Sequence, residues 1–174
     1  MKFRIGLMAI ALVAMLATSC GYTMAGKAVR IPPDVRTISI PMFANQTKTY
    51  RIEQIVTNDV VHEFASRTHY HIVSSPGSDV DATLEGTLLT SEVAPSTYDS
   101  QTGRATSAIV TVTAAVKLLD RHGKVLFEND NYTFRDQYEL SADPASFFEE
   151  DSMAFRRLSA DFSRTLVSNV LEAF

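Results

Sequence analysis

Hydrophobic and polar positions change their spacing along the chain, and each change marks a predicted element. In residues 35–43, VRTISIPMF, the alternation predicts a first strand that ends around Pro41. Its inward side would carry Ile38, Ile40 and Met42. In residues 49–67, apolar residues recur at steps of three and four, which is typical of an amphipathic helix. These residues are Ile52, Ile55, Val56, Val60 and Phe64.

A second region, from residue 69 onward, has the spacing of strands. Residues 69–73 predict a short strand before the turn sequence SSPGSD, and residues 81–93 then alternate over a longer stretch. Residues 105–119 alternate most regularly, and Gly123 lies in the turn that follows, where a positive φ is available. The predicted inward residues of these two long strands are Ala82, Leu84, Gly86, Leu88, Val110, Val112, Ala114, Val116 and Leu118.

The last strand, residues 125–138, changes the side on which its large residues fall. Val125 and Phe127 share one parity, whereas Tyr132, Phe134 and Tyr138 share the other. A switch of parity inside one strand predicts a β-bulge, here near residues 129–131.

A second amphipathic helix closes the chain. Asp143 followed by Pro144 is typical of an N-cap and a first helical residue. Its apolar stripe is Phe148, Phe155, Leu158, Phe162, Leu166 and Val170. The predicted order is β-α-β-β-β-β-α. We therefore expect an α+β two-layer sandwich with two helices packed on one face of a mostly antiparallel sheet of four or five strands.

The first nineteen residues differ from the rest. Lys2 and Arg4 precede the apolar run IGLMAIALVAML, and small residues follow it, which predicts a cleaved signal peptide over residues 1–19. As a helix, the run would span only about 18 Å, less than the roughly 30 Å hydrocarbon core of a bilayer. Residues 20–34 hold two glycines and a Pro-Pro pair without a period, which predicts a tether to a single domain over residues 35–174.

Cys20 is the one cysteine of the chain, so it has no internal disulfide partner. The sequence Ala17-Thr18-Ser19-Cys20 resembles the bacterial lipobox, in which the sulfur receives a diacylglyceryl group and the new amine an acyl chain. The alternative is a plain exported protein cut nearby. Several acyl chains would make anchoring effectively permanent, at about 0.8 kcal/mol per buried CH₂. The second residue of the expected mature chain is Gly21 and not Asp. In the lipoprotein sorting rule that this start resembles, such a residue favours the outer membrane over retention at the inner membrane.

Composition and charge exclude several classes of function. The chain has 174 residues, of which 45% are hydrophobic and 21% charged, as in an ordinary globular protein. The expected mature chain keeps 14 basic against 20 acidic residues, a formal charge of −6. Such a domain lacks the basic footprint that nucleic-acid binding requires.

The sequence carries no recognisable catalytic or metal motif. His69 and His71 lie two apart with His62 upstream, but without the carboxylate or cysteine pattern of a metal site. No nucleophile elbow or phosphate-binding loop is present. We therefore expect no enzyme activity, no metal and no cofactor beyond the covalent lipid on Cys20.

The segment 95–107, PSTYDSQTGRATS, is polar and joins the two long strands. It is interpreted either as a flexible solvated loop or as a protruding interaction loop that carries Tyr98 and Arg104. Lys117, Arg121 and Lys124, together with Arg104, lie around the two hairpin ends. They would offer hydrogen-bond donors to an anionic ligand, or serve solubility and cross-strand pairing.

Cys20-Gly21-Tyr22, then VRTISIPMFANQT and the order of the elements resemble the LPS-assembly lipoprotein family LptE. The resemblance implies an outer-membrane lipoprotein without catalytic activity, lodged as a plug in the LptD β-barrel and contacting lipopolysaccharide. It also implies basic contact residues near the loop between the long strands and near the start of the last helix. Arg104 is the only base in the first region, and the second, SADPASFFEED, is acidic.

Two other classes of function remain open. A periplasmic adaptor lipoprotein of another envelope machine would use the same anchor and fold, as the auxiliary lipoprotein of a lipid-transporting ABC system or as an activator of a peptidoglycan synthase. A lipid-anchored hydrolase is the third class.

Overall fold

A computed structural model of the chain describes residues 27–28, 31–77, 79–140 and 144–172. Its strands are β1 (Lys27–Ala28), β2 (Thr37–Ser39), β3 (Ala44–Asn45), β4 (His71–Val73), β5 (Ala82–Tyr98), β6 (Ala105–Asp120) and β7 (Val125–Glu139), and its helices are α1 (Ile52–Arg67) and α2 (Pro144–Glu172). The predicted signal peptide, Cys20 and most of the tether lie outside the described residues. So do Asp143 and the side chain of Phe148.

The described strands form one sheet in the order β1-β7-β6-β5-β2-β4, and β3 pairs with β5. The two long ladders, β5–β6 and β6–β7, are antiparallel. The short strand β2 is parallel to both of its neighbours, β4 and β5. A parallel pair needs a crossover connection, and α1 supplies it between β2 and β4. The predicted α+β sandwich with a mostly antiparallel sheet is confirmed.

The strand count is higher than predicted. The five strands of three or more residues are the predicted ones, and β1 and β3 add two residues each. The prediction had assigned residues 27–28 to the tether and residues 44–45 to a turn. A pairing of two residues is too short to leave an alternating pattern, so the sequence carries no signal for it.

The core lies between the sheet and the two helices. Eight of the nine predicted inward residues of β5 and β6 are buried in the structure, and the ninth, Gly86, is half-buried and lies against the ring of Phe43. The apolar stripes of α1 and α2 pack against this face of the sheet. Their buried residues are Ile52, Val56, Val60, Phe64, Phe155, Leu158, Phe162, Leu166 and Val170. An aromatic group links the layers, because Phe162 of α2 makes edge contacts with Phe43, Tyr132 and Phe134.

The predicted inward position of Met42 is wrong. Ile38 and Ile40 are fully buried, but Met42 is 61% exposed and Phe43 takes the next buried position. Ladder pairing of β2 ends at Ser39. Pro41 has no N–H to donate, so the chain leaves the pleat there and the alternation of sides does not continue.

Helix α1 begins at Ile52, three residues later than predicted. Arg51, just before it, has a φ of 60°, in the left-handed region that helical residues do not adopt. The two helices run parallel, because Arg67 at the end of α1 donates to the Ser168 Oγ atom near the end of α2 at 2.9 Å. Since α2 has 29 residues and α1 has 16, the first part of α2 extends past the start of α1.

The predicted β-bulge in the last strand is confirmed. Ala114 pairs with Tyr132 and Val116 with Asn129, so two residues of β7 face one residue of β6. The extra residue moves Tyr132 onto the same side of the sheet as Phe127, and their rings stack with centroids 6.4 Å apart.

The predicted loop 95–107 is much shorter in the structure. Pairing continues to Tyr98 opposite Ala105, so only residues 99–104 form the turn. Hydroxyl groups support the outer ladder, because Ser107 contacts Thr97 and its Oγ atom lies 2.7 Å from that of Ser96. Polar, β-branched residues are good strand formers where one face of a ladder meets solvent, so their polarity did not indicate a loop.

Candidate functional site

The five predicted contact residues fall into two groups at opposite ends of β6. Tyr98 and Arg104 lie at the turn between β5 and β6, whereas Lys117, Arg121 and Lys124 lie at or near the turn between β6 and β7. Strand β6 has 16 residues, which at about 3.3 Å per residue separates the groups by about 50 Å. A single small ligand cannot contact both groups.

The turn between β5 and β6 is held by Asp99. Its Oδ1 atom accepts hydrogen bonds from the backbone N–H groups of Gln101 and Thr102, at 3.0 and 2.7 Å, and from the Thr102 hydroxyl at 2.8 Å. These bonds, the one from the Thr102 hydroxyl first, lower the pKa of Asp99 below its ordinary value. Gly103 closes the turn with a φ of 67°. The tip of the hairpin therefore has a defined shape.

Two predicted residues present side chains at this tip. Tyr98 is 62% exposed at the end of β5. Arg104 is exposed just before β6 and takes no part in the ion pairs formed among the described residues. An exposed aromatic ring beside an uncommitted guanidinium can stack on a sugar or a peptide and donate paired hydrogen bonds to an anion.

Lys117 is engaged within the sheet. Its Nζ atom lies 2.5 Å from Glu128 and 3.8 Å from Asp130 on the face of the sheet away from the helices. The hydrogen bond to Glu128 and the charges of Glu128, Asp130 and Glu85 raise the pKa of Lys117. Cross-strand pairing, one of the two predicted interpretations, describes this lysine.

Arg121 is bound to a residue that the sequence did not indicate. It pairs with Asp81, whose Oδ2 atom also accepts the backbone N–H groups of Arg36 and Thr37, at 2.8 and 2.9 Å. The two backbone hydrogen bonds, followed by Arg121, lower the pKa of Asp81. Asp81 thus ties the β6–β7 turn to the start of β2. Only its position after a turn cluster is visible in the sequence.

Lys124 is exposed in the same turn and, like Arg104, forms no ion pair among the described residues. Asp120 holds the turn by accepting the N–H groups of His122 and Lys124. Gly123 has a φ of 78°, as its position predicted. Of the four predicted cations, Arg104 and Lys124 are therefore the two without an ion pair among the described residues, and they lie at opposite ends of the domain.

A surface at the start of α1 was not predicted. Tyr50 is 80% exposed, and the Arg51 guanidinium lies 4.9 Å from the centre of its ring. Thr49 donates to the Ser91 hydroxyl at 2.8 Å, which brings this turn beside β5, where Val93 is 50% exposed. The sequence pattern instead predicts residues 49–51 as the first residues of the helix.

The histidines are exposed and are not gathered into a site. His62 lies on α1, His69 precedes β4 and His71 belongs to it. Within the described ranges, no group of three or more His, Cys, Asp or Glu side chains is arranged to hold a metal ion.

Comparison with known families assigns the domain. A family model described as LptE: Lipopolysaccharide-assembly matches residues 35–170, from just before β2 almost to the end of α2. The chain belongs to the LptE family. The resemblance predicted from the sequence is therefore confirmed. No curated protein sequence matches the chain.

Solved structures of bacterial lipoproteins share the LptE-like fold. A lipoprotein B from Nitrosomonas europaea is 15% identical with a TM-score of 0.57, over 86% of this chain and 90% of its own. Rare lipoprotein B from Shewanella oneidensis is 11% identical with a TM-score of 0.53, over 77% and 94%. A minor lipoprotein from Acinetobacter baumannii is 15% identical with a TM-score of 0.51, over 81% and 94%. At these identities the likeness shows the fold alone.

Neither helix of the described part of the chain has the length and apolarity that crossing a bilayer demands.

Proposed function

We propose that this chain is an outer-membrane lipoprotein, anchored through lipid on Cys20, that serves as the plug and assembly partner of an LptD-like β-barrel. In this role it supports the transport of lipopolysaccharide to the outer leaflet. It acts by binding, without catalysis and without a cofactor. The family match over residues 35–170 is the observation that carries the proposal.

The shape and polarity of the β5–β6 hairpin support a plug. The interior of a large outer-membrane barrel is polar and water-filled. The outer part of the hairpin carries hydroxyl groups on Ser96, Thr97 and Ser107, and its turn is held by Asp99. Such an element is stable in a polar lumen, where an apolar surface would be disfavoured.

The same hairpin end offers one contact to lipopolysaccharide. Arg104 can donate two parallel hydrogen bonds to a phosphate group, and Tyr98 can stack on a neighbouring sugar ring. At the other end Lys117 and Arg121 are less suited, because both are already paired with acidic residues, and Lys124 is left there as a single unpaired cation. We assign ligand contact to Tyr98 and Arg104 on this basis.

Purification of the acylated protein from membranes tests the partner. We expect a large outer-membrane β-barrel to co-purify, and loss of the gene to reduce both barrel assembly and surface lipopolysaccharide. Recovery of an inner-membrane transporter or a peptidoglycan synthase, with no barrel, would instead establish the adaptor function. Normal surface lipopolysaccharide with an assembled barrel after deletion would contradict the proposal.

A matched pair of variants tests the hairpin. The double variant Tyr98→Ala, Arg104→Ala should weaken binding of purified lipopolysaccharide at least about tenfold, because it removes the ring and the free guanidinium together. Lys124→Ala, which removes an unpaired cation at the opposite end, is the control and should bind normally. Equal losses in both variants would indicate a general charge effect and refute the assignment.

The anchor is tested separately. Cys20→Ala should fold normally and leave the membrane fraction when the protein is expressed without its barrel partner. Retention in the membrane under that condition would contradict lipidation.

A further inference from the structure

Strand β5 is paired along only part of its outer edge. On that side it pairs with β2 at residues 82–83 and with β3 at residues 87–88. The N–H of Gln46 still donates to the Leu88 carbonyl at 2.9 Å, and the chain then turns away into α1. Strand β5 continues to Tyr98, but beyond Leu88 none of the described strands pairs with this edge.

The phase of the neighbouring ladder shows which β5 backbone groups face this edge. The N–H of Leu140 donates to the Thr106 carbonyl at 2.9 Å, so every second residue of β6 from Thr106 directs its backbone groups toward β7 and not toward β5. The β5 residues opposite those that follow Thr106 in this series are Ser91, Val93 and Pro95, so their backbone groups point to the outer edge. Pro95 fits this assignment, because a proline has no N–H to give to a ladder.

The outer edge therefore presents hydrogen-bonding groups in one line. The N–H groups of Ser91 and Val93 and the carbonyl groups of Ser91, Val93 and Pro95 belong to alternate residues, so they repeat about every 6.6 Å. A second extended polypeptide has the same spacing, and its addition as a strand satisfies such groups. A lipid or a sugar has no matching row of donors and acceptors.

An apolar surface adjoins this edge on the helix side of the sheet. Val93 lies opposite the fully buried Val110 and is itself 50% exposed. Tyr50 is 80% exposed and follows Thr49, whose hydroxyl donates to that of Ser91 at 2.8 Å. An added strand would therefore bury an apolar side chain on this side.

The turn before α1 also carries positive charge. Lys48 and Arg51 are exposed and take part in no ion pair within the described ranges. The Glu53 carboxylate is bonded instead to the Asn45 amide at 2.7 Å. Glu92 lies on the opposite face of the sheet, because side chains alternate along β5. A strand with a carboxylate on its helix side would complement this edge.

We propose that an extended acidic segment of the barrel partner adds as a further strand along residues 91–95 of β5. It places an apolar side chain beside Val93 and Tyr50 and a carboxylate beside Lys48 and Arg51. This inference rests on the proposed function, in which the β5–β6 hairpin lies in the barrel lumen. Loops of outer-membrane barrels can fold into that interior, where an extended segment has unpaired backbone groups of its own.

Hydrogen exchange at single-residue resolution tests the pairing, on the acylated protein free in micelles and bound to the barrel. In the free protein the amides of Ser91 and Val93 should exchange at least about tenfold faster than those of Glu92 and Ala94, which bond to β6. In the complex the two fast amides should slow at least about tenfold.

Three other outcomes would overturn the inference. A complex in which the Ser91 and Val93 amides keep their free rate would do so and leave the proposed function standing. Failure to recover any barrel would overturn both. Slow exchange at these amides in the free protein would show that the chain itself or a second copy already covers the edge.

Two substitutions at Val93 separate strand pairing from enclosure in the lumen. Val93→Pro removes an outward N–H without deleting a bond to β6, at a position equivalent to that of Pro95, and should weaken barrel binding at least about tenfold. Val93→Ala keeps the N–H and should lose no more than about threefold. Slow exchange of the Val112 amide reports that the sheet is intact. A folded Val93→Pro protein with unchanged barrel affinity would show that the proposal is wrong.

A matched pair of lysine substitutions tests the charge of the segment. Lys48→Glu should weaken barrel binding at least about fivefold, because it places a carboxylate beside an acidic strand. Lys124→Glu makes the same change at the opposite end of the domain and should bind normally. Equal losses in the two variants would refute the acidic character of the added strand.

Discussion

Gly86 faces the ring of Phe43 so closely that a methyl group at this position would overlap it. A Cβ atom built on Gly86 would lie 2.2 to 2.4 Å from three ring carbons, whereas carbon atoms in contact are about 3.5–4.0 Å apart. Either the ring or the strand must move by more than about 1 Å to admit alanine. The substitution Gly86→Ala therefore probes how firmly Phe43 is held.

Phe43 has little freedom to retreat. Its ring is 2% exposed and makes an edge contact with Phe162, with centroids 6.2 Å apart. Its backbone N–H donates to the Thr57 hydroxyl at 3.0 Å. Overpacking of this kind costs about 1–3 kcal/mol, against about 0.4–1 kcal/mol that alanine returns by restricting the unfolded chain. We expect a net loss of about 1 kcal/mol, or about 2–4 °C in Tm.

Urea unfolding followed by circular dichroism measures this loss, and a second background tests its cause. Phe43→Ala alone should cost about 3–5 kcal/mol because it leaves a cavity. In that background Gly86→Ala should be neutral or stabilising, since the methyl group then fills part of the cavity. The same penalty in both backgrounds, or no penalty in the wild type, would refute the reasoning.

Three further predictions concern contacts that hold the domain together. Thr57→Val keeps the shape of the side chain but leaves the Phe43 N–H without its acceptor, so unfolding free energy should fall by about 1–3 kcal/mol; an unchanged urea midpoint would contradict this. Phe162→Ala removes the ring at the centre of the aromatic group and should cost about 3–5 kcal/mol, measured in the same way. Asp81→Asn should destabilise the protein at neutral pH, because the lowered pKa of Asp81 means that its charged form stabilises the fold. This difference should vanish as the pH falls through that lowered pKa, where wild-type Asp81 is protonated as well; a difference that persists in acid would show that the charge is not its origin.

The long strands and helices could be predicted because, at a regular period, the polarity of each residue indicates whether its side chain faces the core or the solvent. In β6 the alternation from Val110 to Leu118 matches the buried face of the sheet, and in α2 the stripe from Phe155 to Val170 matches the buried face of the helix. Even the bulge at residues 129–131 was visible, since an extra residue reverses the parity of everything after it.

The candidate site was less predictable, because its residues depend on partners far away in the chain. Arg121 resembles an available cation until Asp81, 40 residues earlier, is placed beside it. Arg104 resembles it in sequence and yet has no such partner among the described residues. Nothing local distinguishes these two arginines.

The sequence by itself determined the class of the fold, the family and the expectation of a lipid on Cys20, because these depend on periodicity and short motifs within one segment. Only the tertiary structure decided that the hairpin continues to Tyr98, that Phe43 and not Met42 enters the core, and which cations are free. The physical reason is that ladder pairing, close packing and ion pairs join residues distant in sequence. Which of these contacts form depends on which distant residues the fold brings together, and no single segment of the sequence contains that information.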